Sequence, residues 1–231
     1  MNDHRKVKNR SSLLLTTLLL LTTFVTSKTF KKVNYQDISI SGSNLFTNLD
    51  IVENSSLNFP IPLIFVKTTF TEKELKKNLS LQNISVSRQI FPFGLKILIR
   101  TRTPIAYGEK ISKGSKITGF VDKEGFFINE KYTNQENLKK LSTKVFGWKE
   151  NFRETLSKVL NSGNNNNIEF VKIIFSPNGF LTLEEKSLKT IFLGYNPKII
   201  ETQLQIIHDI KNQIKENNIL GKIDNIDLTD P

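Results

Sequence analysis

Between Gly94 and Arg102 the chain alternates with a period of two, Leu95, Ile97 and Ile99 on one side and Lys96, Leu98 and Arg100 on the other. That pattern belongs to a strand with one buried face. Phe91-Pro92-Phe93-Gly94 turns it back on a shorter run, Ile84 to Arg88, in which Ile84 and Val86 alternate with Ser85 and Ser87. The two runs make a hairpin. Ahead of it, Ile38-Ser39-Ile40-Ser41-Gly42 reads as a strand and turn, and a helix is predicted from Leu45 to about Asn54. A second predicted helix opens at Thr71, with Glu74 at the spacing of a capping box and Leu75 and Leu79 on one side. Strand, helix, helix, strand, strand in roughly seventy residues predicts a small α+β module whose helices cover one face of a three-stranded sheet.

The amino terminus bears on the compartment. Ser11 to Ser27 carries no charge and is bounded by Arg5, Lys6, Lys8 and Arg10 before it and Lys28, Lys31 and Lys32 after it. As a helix this run spans about 25 Å, a little short of a ~30 Å hydrocarbon core. Flanking basic side chains can snorkel to the headgroups, and the threonines can bond back to carbonyls one turn earlier. Two readings fit the segment: an uncleaved anchor, or a signal peptide cut after Val25-Thr26-Ser27. For an anchor, the positive-inside rule keeps the short amino-terminal tail in the cytoplasm and exports the rest.

Beyond Pro104 the pattern becomes mostly β. Phe120-Val121-Asp122 and Phe126-Phe127-Ile128 flank a turn at Lys123-Glu124-Gly125. A helical patch in two pieces is predicted around Gly147, with Trp148, Phe152, Leu156 and Val159 near helical spacing, and Asn164 to Asn167 reads as loop. Ile168 to Phe175 and Phe180 to Glu184 flank Pro177-Asn178-Gly179, a hairpin turn, and Ile191 to Gly194 is a further short strand. A helix from Lys198 to about Asn217 places Ile200, Leu204, Ile207, Ile210 and Ile214 on one face, and a last strand is predicted from Lys222 to Leu228.

Chemistry is sparse. With no cysteine, thiol catalysis, zinc-cysteine sites and iron-sulfur clusters are excluded. His4 and His208 stand alone, no serine has a lysine three residues later, and the Gly114 to Gly119 stretch lacks a phosphate-loop lysine. Glu184-Glu185 and Asp227 with Asp230 are read as solvated groups at strand ends, and Glu72 and Glu74 as charges favoured at a helix start. The net charge is +11; the first 27 residues hold four of the thirty-three basic and one of the twenty-two acidic side chains, so the remainder is near +8. Scattered lysines that keep a β-rich surface soluble account for that excess. A nucleic-acid role is not expected, because the phenylalanines are read as core residues of strands rather than as a stacking platform.

Ile38, Ile40 and Gly42, then Phe91-Pro92 with Leu95, Ile97 and Ile99, then Arg102-Thr103-Pro104-Ile105-Ala106, and finally Val121-Asp122 with Gly125 follow one another in an order that resembles the FtsQ/DivIB family of bacterial cell-division proteins. In that family R-x-P-[IV]-A closes a polypeptide-transport-associated (POTRA) domain and V-D-x-x-G follows soon after. The resemblance implies an α+β protein: a single transmembrane helix, a POTRA-like β-α-α-β-β domain, then a mostly antiparallel β domain with a long carboxyl-terminal helix and a final strand. The expected divisions are a cytoplasmic tail (1–10), the transmembrane helix (11–27), the POTRA-like domain (35–102) and the β domain (103–231). Residues 131–167 match the family least, and nothing is carried over there.

The resemblance further implies a non-enzymatic, single-pass scaffold of the division septum in the cytoplasmic membrane, without cofactor, metal or small-molecule substrate. Its expected partners are division proteins of the FtsB/DivIC and FtsL types, met through an edge strand made of Ile223, Asp224, Asn225, Ile226, Asp227 and Leu228. Ile223 and Ile226 cannot share one face of an unbroken strand, so a bulge or burial on both sides is expected. Contacts that longer relatives make beyond this strand are not carried over, because the sequence stops at Pro231. Two other functions compete: a POTRA-type polypeptide-handling protein of an export or envelope-assembly machine, and a secreted binding protein that has lost a signal peptide.

Overall fold

The computed structural model describes residues 3–112, 114–133, 138, 141–165, 168–216 and 225–230. The chain divides into two units, residues 1–101 and 102–231.

The first unit begins with a continuous helix, α1 (Asp3–Phe30). Its Leu13–Phe30 stretch has mean hydropathy 1.5 and no buried residue, so length and composition suit it to cross a bilayer. The threonines bond back along the helix: Thr16 Oγ1 donates to the Leu13 carbonyl at 2.9 Å, Thr23 to Leu19 at 3.0 Å and Thr26 to Thr22 at 2.8 Å. A hydroxyl so bonded can enter an apolar medium with its proton already placed.

The chain passes from α1 almost directly into β1 (Lys32–Val33), followed by β2 (Ile38–Ser41) and α2 (Asn48–Glu53). α2 is shorter than the sequence pattern predicts because Thr47 sets its start. The Thr47 hydroxyl accepts from the Asp50 N–H at 3.3 Å, and the Asp50 carboxylate accepts from the Thr47 N–H at 2.9 Å. β3 (Ile61–Pro62) pairs antiparallel with β1, a two-stranded piece that periodicity does not predict because it is too short to have one.

α3 (Thr68–Asn78) also departs from expectation at its start. Thr71 does not cap it. The helix already runs from Thr68, and the buried Thr71 hydroxyl donates to the Lys67 carbonyl at 3.1 Å. Glu72 and Glu74 are therefore inside the helix, with tertiary partners. Glu72 accepts from the Val86 N–H at 2.7 Å, and Glu74 accepts from the Ser56 N–H at 3.0 Å and its hydroxyl at 2.8 Å. β4 (Asn83–Gln89) and β5 (Gly94–Arg100) follow, and the sheet order is β2-β5-β4, with β5 parallel to β2 and antiparallel to β4. Leu75 from the helix and Leu79 just past its end are buried, and so are Leu95, Ile97 and Ile99 from the central strand, as its alternation requires.

The second unit holds an eight-stranded sheet. β6 (Pro104–Ser112), β7 (Ser115–Asp122) and β8 (Phe127–Asn129) form an antiparallel meander, and β9 (Lys144–Phe146) precedes α4 (Arg153–Asn165). Then come β10 (Phe170–Phe175), β11 (Leu181–Glu185), β12 (Lys189–Gly194), α5 (Ile200–Glu216) and β13 (Asn225–Asp227). The order is β13-β12-β11-β10-β9-β6-β7-β8. β9 joins the β6-β7-β8 meander to the rest of the sheet by pairing parallel with both β6 and β10.

Two expectations fail around β9. The stretch before Gly147 is a strand, not a helix, and α4 continues through Asn164 and Asn165 where loop was expected. Asn166 and Asn167 lie outside the described residues. Gly147 has φ of 71°, and a Cβ there would stand 1.9 Å from the Phe175 carbonyl oxygen, so β9 must turn off the sheet at this residue. α4 and α5 close one face of the sheet through a single core. Leu156 and Val159 from α4, and Leu204 and Ile207 from α5, meet Val145, Ile173, Leu183 and Ile191 from the strands. Ile200 and Ile214 are buried as the periodicity of α5 predicts, with Ile210 partly so.

Candidate partner-binding edge

β13 ends the large sheet, with β12 its only neighbour among the described residues. The pairing is parallel, Asn225 opposite Thr190, Ile226 opposite Ile191 and Asp227 opposite Phe192. Just past the strand, the Leu228 N–H donates to the Phe192 carbonyl at 2.8 Å. Alternate residues of a strand direct their backbone groups to opposite neighbours. Leu228 and Ile226 thus bond inward to β12, and the backbone groups of Asn225 and Asp227 face the open side. Ile226 packs against the core beside α5 and Leu228 is buried, so both apolar residues serve the inner sheet. Ile223 and Asp224 lie outside the described residues, and with them the expected bulge.

The end of the strand is fixed by two groups. Asp227 Oδ1 accepts from the Thr229 N–H at 3.0 Å and from its hydroxyl at 2.8 Å, which folds the chain away after the strand. The Thr229 N–H first, and then the hydroxyl, hold the Asp227 carboxyl below its ordinary value. From α5, Gln203 Nε2 donates to the Leu193 carbonyl at 2.8 Å and to the Leu228 carbonyl at 2.5 Å, tying β12 and the residue after β13 to one fully buried amide. Sequence reasoning passed over Gln203. Its signal was a polar residue three after Ile200 and four before Ile207, on the apolar face of the helix.

Arg102 and Asp122, which carry the family resemblance, meet inside the second unit. Arg102 Nη1 bonds Asp122 Oδ2 at 2.5 Å and Glu124 Oε2 at 2.9 Å, and its guanidinium lies 3.6 Å from the centre of the Phe126 ring. The other Asp122 oxygen accepts from the Glu124 and Phe126 N–H groups, both at 2.9 Å. Gly125 completes the turn with φ of 78°, and its carbonyl accepts from Trp148 Nε1 at 2.8 Å. R-x-P-[IV]-A and V-D-x-x-G are one structural clasp: an arginine held by the turn it also orders.

Glu185 corrects the reading of Glu184-Glu185 as a solvated pair. Its carboxylate is buried and accepts from the Ser187 N–H at 2.6 Å, the Ser187 hydroxyl at 2.7 Å, the Leu188 N–H at 2.8 Å and Lys211 Nζ at 2.8 Å. Burial pushes this carboxyl up, but the Lys211, Ser187 and Leu188 donors together outweigh it and hold the group below its ordinary value. It staples the β11–β12 turn to α5. In the cleft of about 470 Å3 where α4 and α5 begin, Lys158 is paired with Glu201 at 3.0 Å. Among the described residues there is no cluster of His, Asp and Glu that could hold a metal.

A β-α-α-β-β module of this kind, on a three-stranded sheet with its first strand parallel to the central one, defines a POTRA domain. The family profile that matches, over residues 33–102, is that of the POTRA domain, FtsQ-type. The match covers the first of the two globular parts and shows an FtsQ-type POTRA domain there. No curated protein matches the chain.

Proposed function

We propose that this protein is a non-enzymatic, single-pass scaffold of the bacterial division machinery, linking division proteins at the septum through its exported domains. The FtsQ-type POTRA match carries the reading, because that domain belongs to division scaffolds rather than to enzymes. α1 supplies the anchor, with its amino-terminal tail in the cytoplasm and the two globular parts outside. The partner-binding element is the open side of β13, with Ile223 to Leu228 as the segment and Asn225 and Asp227 offering their backbone donors and acceptors to an added strand. Division proteins of the FtsB/DivIC type, themselves bound to an FtsL-type protein, are the expected occupants. The envelope-assembly alternative fits less well. Such machines place a membrane barrel after their POTRA domains, and among the described residues the sheet here runs from β13 to β8 without closing, with helices over one face.

Depletion of the protein is expected to give filaments without septa, restored by the unaltered chain. A rescue copy carrying Asn225→Pro removes one outward N–H and leaves the Ile226 and Leu228 bonds to β12 in place. It should reach the membrane at normal levels and fail to restore septa. Normal division after full depletion would overturn the division reading, and full rescue by the Asn225→Pro copy would overturn the edge.

A further inference from the structure

The POTRA module touches the apolar helix at a point away from the chain connection. The tip of the β4–β5 hairpin carries Phe91, which is 73% exposed, and exposed Pro92. The Phe91 ring does not stand alone: it stacks on Phe24 of α1 with centroids 5.8 Å apart and planes 12° from parallel. Phe24 lies inside the apolar Leu13–Phe30 stretch. It lies four positions before Lys28, about 6 Å along a helix axis. Two lysines border the same spot, Lys28 Nζ 5.6 Å from the Phe24 ring centre and Lys31 Nζ 4.9 Å from that of Phe93.

This placement is fixed rather than tethered. Only Lys31 separates the end of α1 from β1, and β1 is paired to β3. The Leu63 N–H donates to the Lys31 carbonyl at 3.1 Å, seating the 3-10 turn Leu63–Phe65 against the helix end. Ile64 and Phe65 on that turn are exposed as well. A ring stacked on Phe24 shares its depth, so when α1 spans a bilayer the hairpin tip is carried into the boundary between acyl chains and headgroups.

We propose that the Phe91-Pro92 tip inserts into the lipid interface beside α1, with Lys28 and Lys31 at the level of anionic headgroups, so that the POTRA module lies docked on the bilayer. The inference rests on α1 being an uncleaved membrane span. The absence of cysteine makes single-site labelling direct. Full-length chains carrying Phe91→Cys, Phe24→Cys or Asn83→Cys, each labelled with the environment-sensitive fluorophore NBD, are reconstituted in vesicles of phosphatidylethanolamine and phosphatidylglycerol. Asn83 is exposed at the other end of β4 from the tip, some six residues or about 20 Å along the strand.

Labels at 91 and 24 should emit blue-shifted light, lose emission to nitroxide-bearing lipids and resist aqueous iodide, while the label at 83 is quenched by iodide. A label at 91 that behaves like the one at 83, with the label at 24 still in lipid, overturns the docking and leaves the anchor standing. Iodide reaching the label at 24 overturns the anchor, and the docking with it.

Discussion

At the residue scale the second unit is held by a few buried polar groups whose partners are far away in sequence. Arg102 bridges two carboxylates and covers Phe126 with its flat guanidinium, a combination that lysine cannot reproduce. Arg102→Ala should lower stability by about 3 kcal/mol, since it leaves the Asp122 charge buried beside a lost partner. Arg102→Lys should recover only part of that loss, and urea unfolding of the two variants checks both statements. Glu185 gives a pH dependence. Its folded-state carboxyl is held below the ordinary value, so its contribution is fully present above the unfolded-state value, about 4.3 for glutamate, and is lost as pH falls through the folded-state value. Glu185→Gln should cost about 2 kcal/mol at neutral pH and reduce the fall in the urea midpoint on acidification; an unchanged fall would place the titrating group elsewhere. The sequence offers both acids as plain strand-end residues, because the burial of Glu185 beneath the next turn and against Lys211, on a helix twenty-six positions later, leaves no mark in the local pattern.

At the scale of elements, the clearest correction concerns which threonine starts which helix. Thr47 with Asp50 forms a real capping box, and Thr71 with Glu74 has the spacing without the geometry. Thr47→Ala should therefore cost about 1 kcal/mol, the usual worth of a cap. Thr71→Val should stay within about 0.5 kcal/mol, because that hydroxyl only bonds back within its own helix; thermal unfolding of the pair separates the two roles. Capping signals are local, and two candidates of equal quality are ranked by what packs around them. β9 was hidden for a related reason. Lys144-Val145-Phe146 is too short to show a period, and only the edges of β6 and β10 on either side make it a strand. The β4–β5 hairpin and α5 were legible because each is long enough for one face to repeat several times.

At the scale of the whole molecule, an apolar amino-terminal helix, a POTRA domain and a mixed sheet with helices over one face are arranged along the chain in the order the sequence predicts. If α1 is an anchor rather than a signal peptide, protein recovered from membranes should retain its amino-terminal residues and stay in the pellet after alkaline carbonate washing. A soluble form beginning near Lys28 would contradict this. Sequence by itself determined the apolar span, the order of the POTRA strands and helices and the apolar face of α5, because each depends on a repeat or a run carried by neighbouring residues. Tertiary structure alone decided the rest: that Arg102 closes on the Asp122 turn, that Glu185 is buried on Lys211, that β13 bonds inward through Ile226 and Leu228 and leaves Asn225 and Asp227 facing outward, and that Phe91 stacks on Phe24. Those arrangements join residues distant in the chain, and a chain's local pattern holds no record of which distant group will neutralise a buried charge or face an open edge.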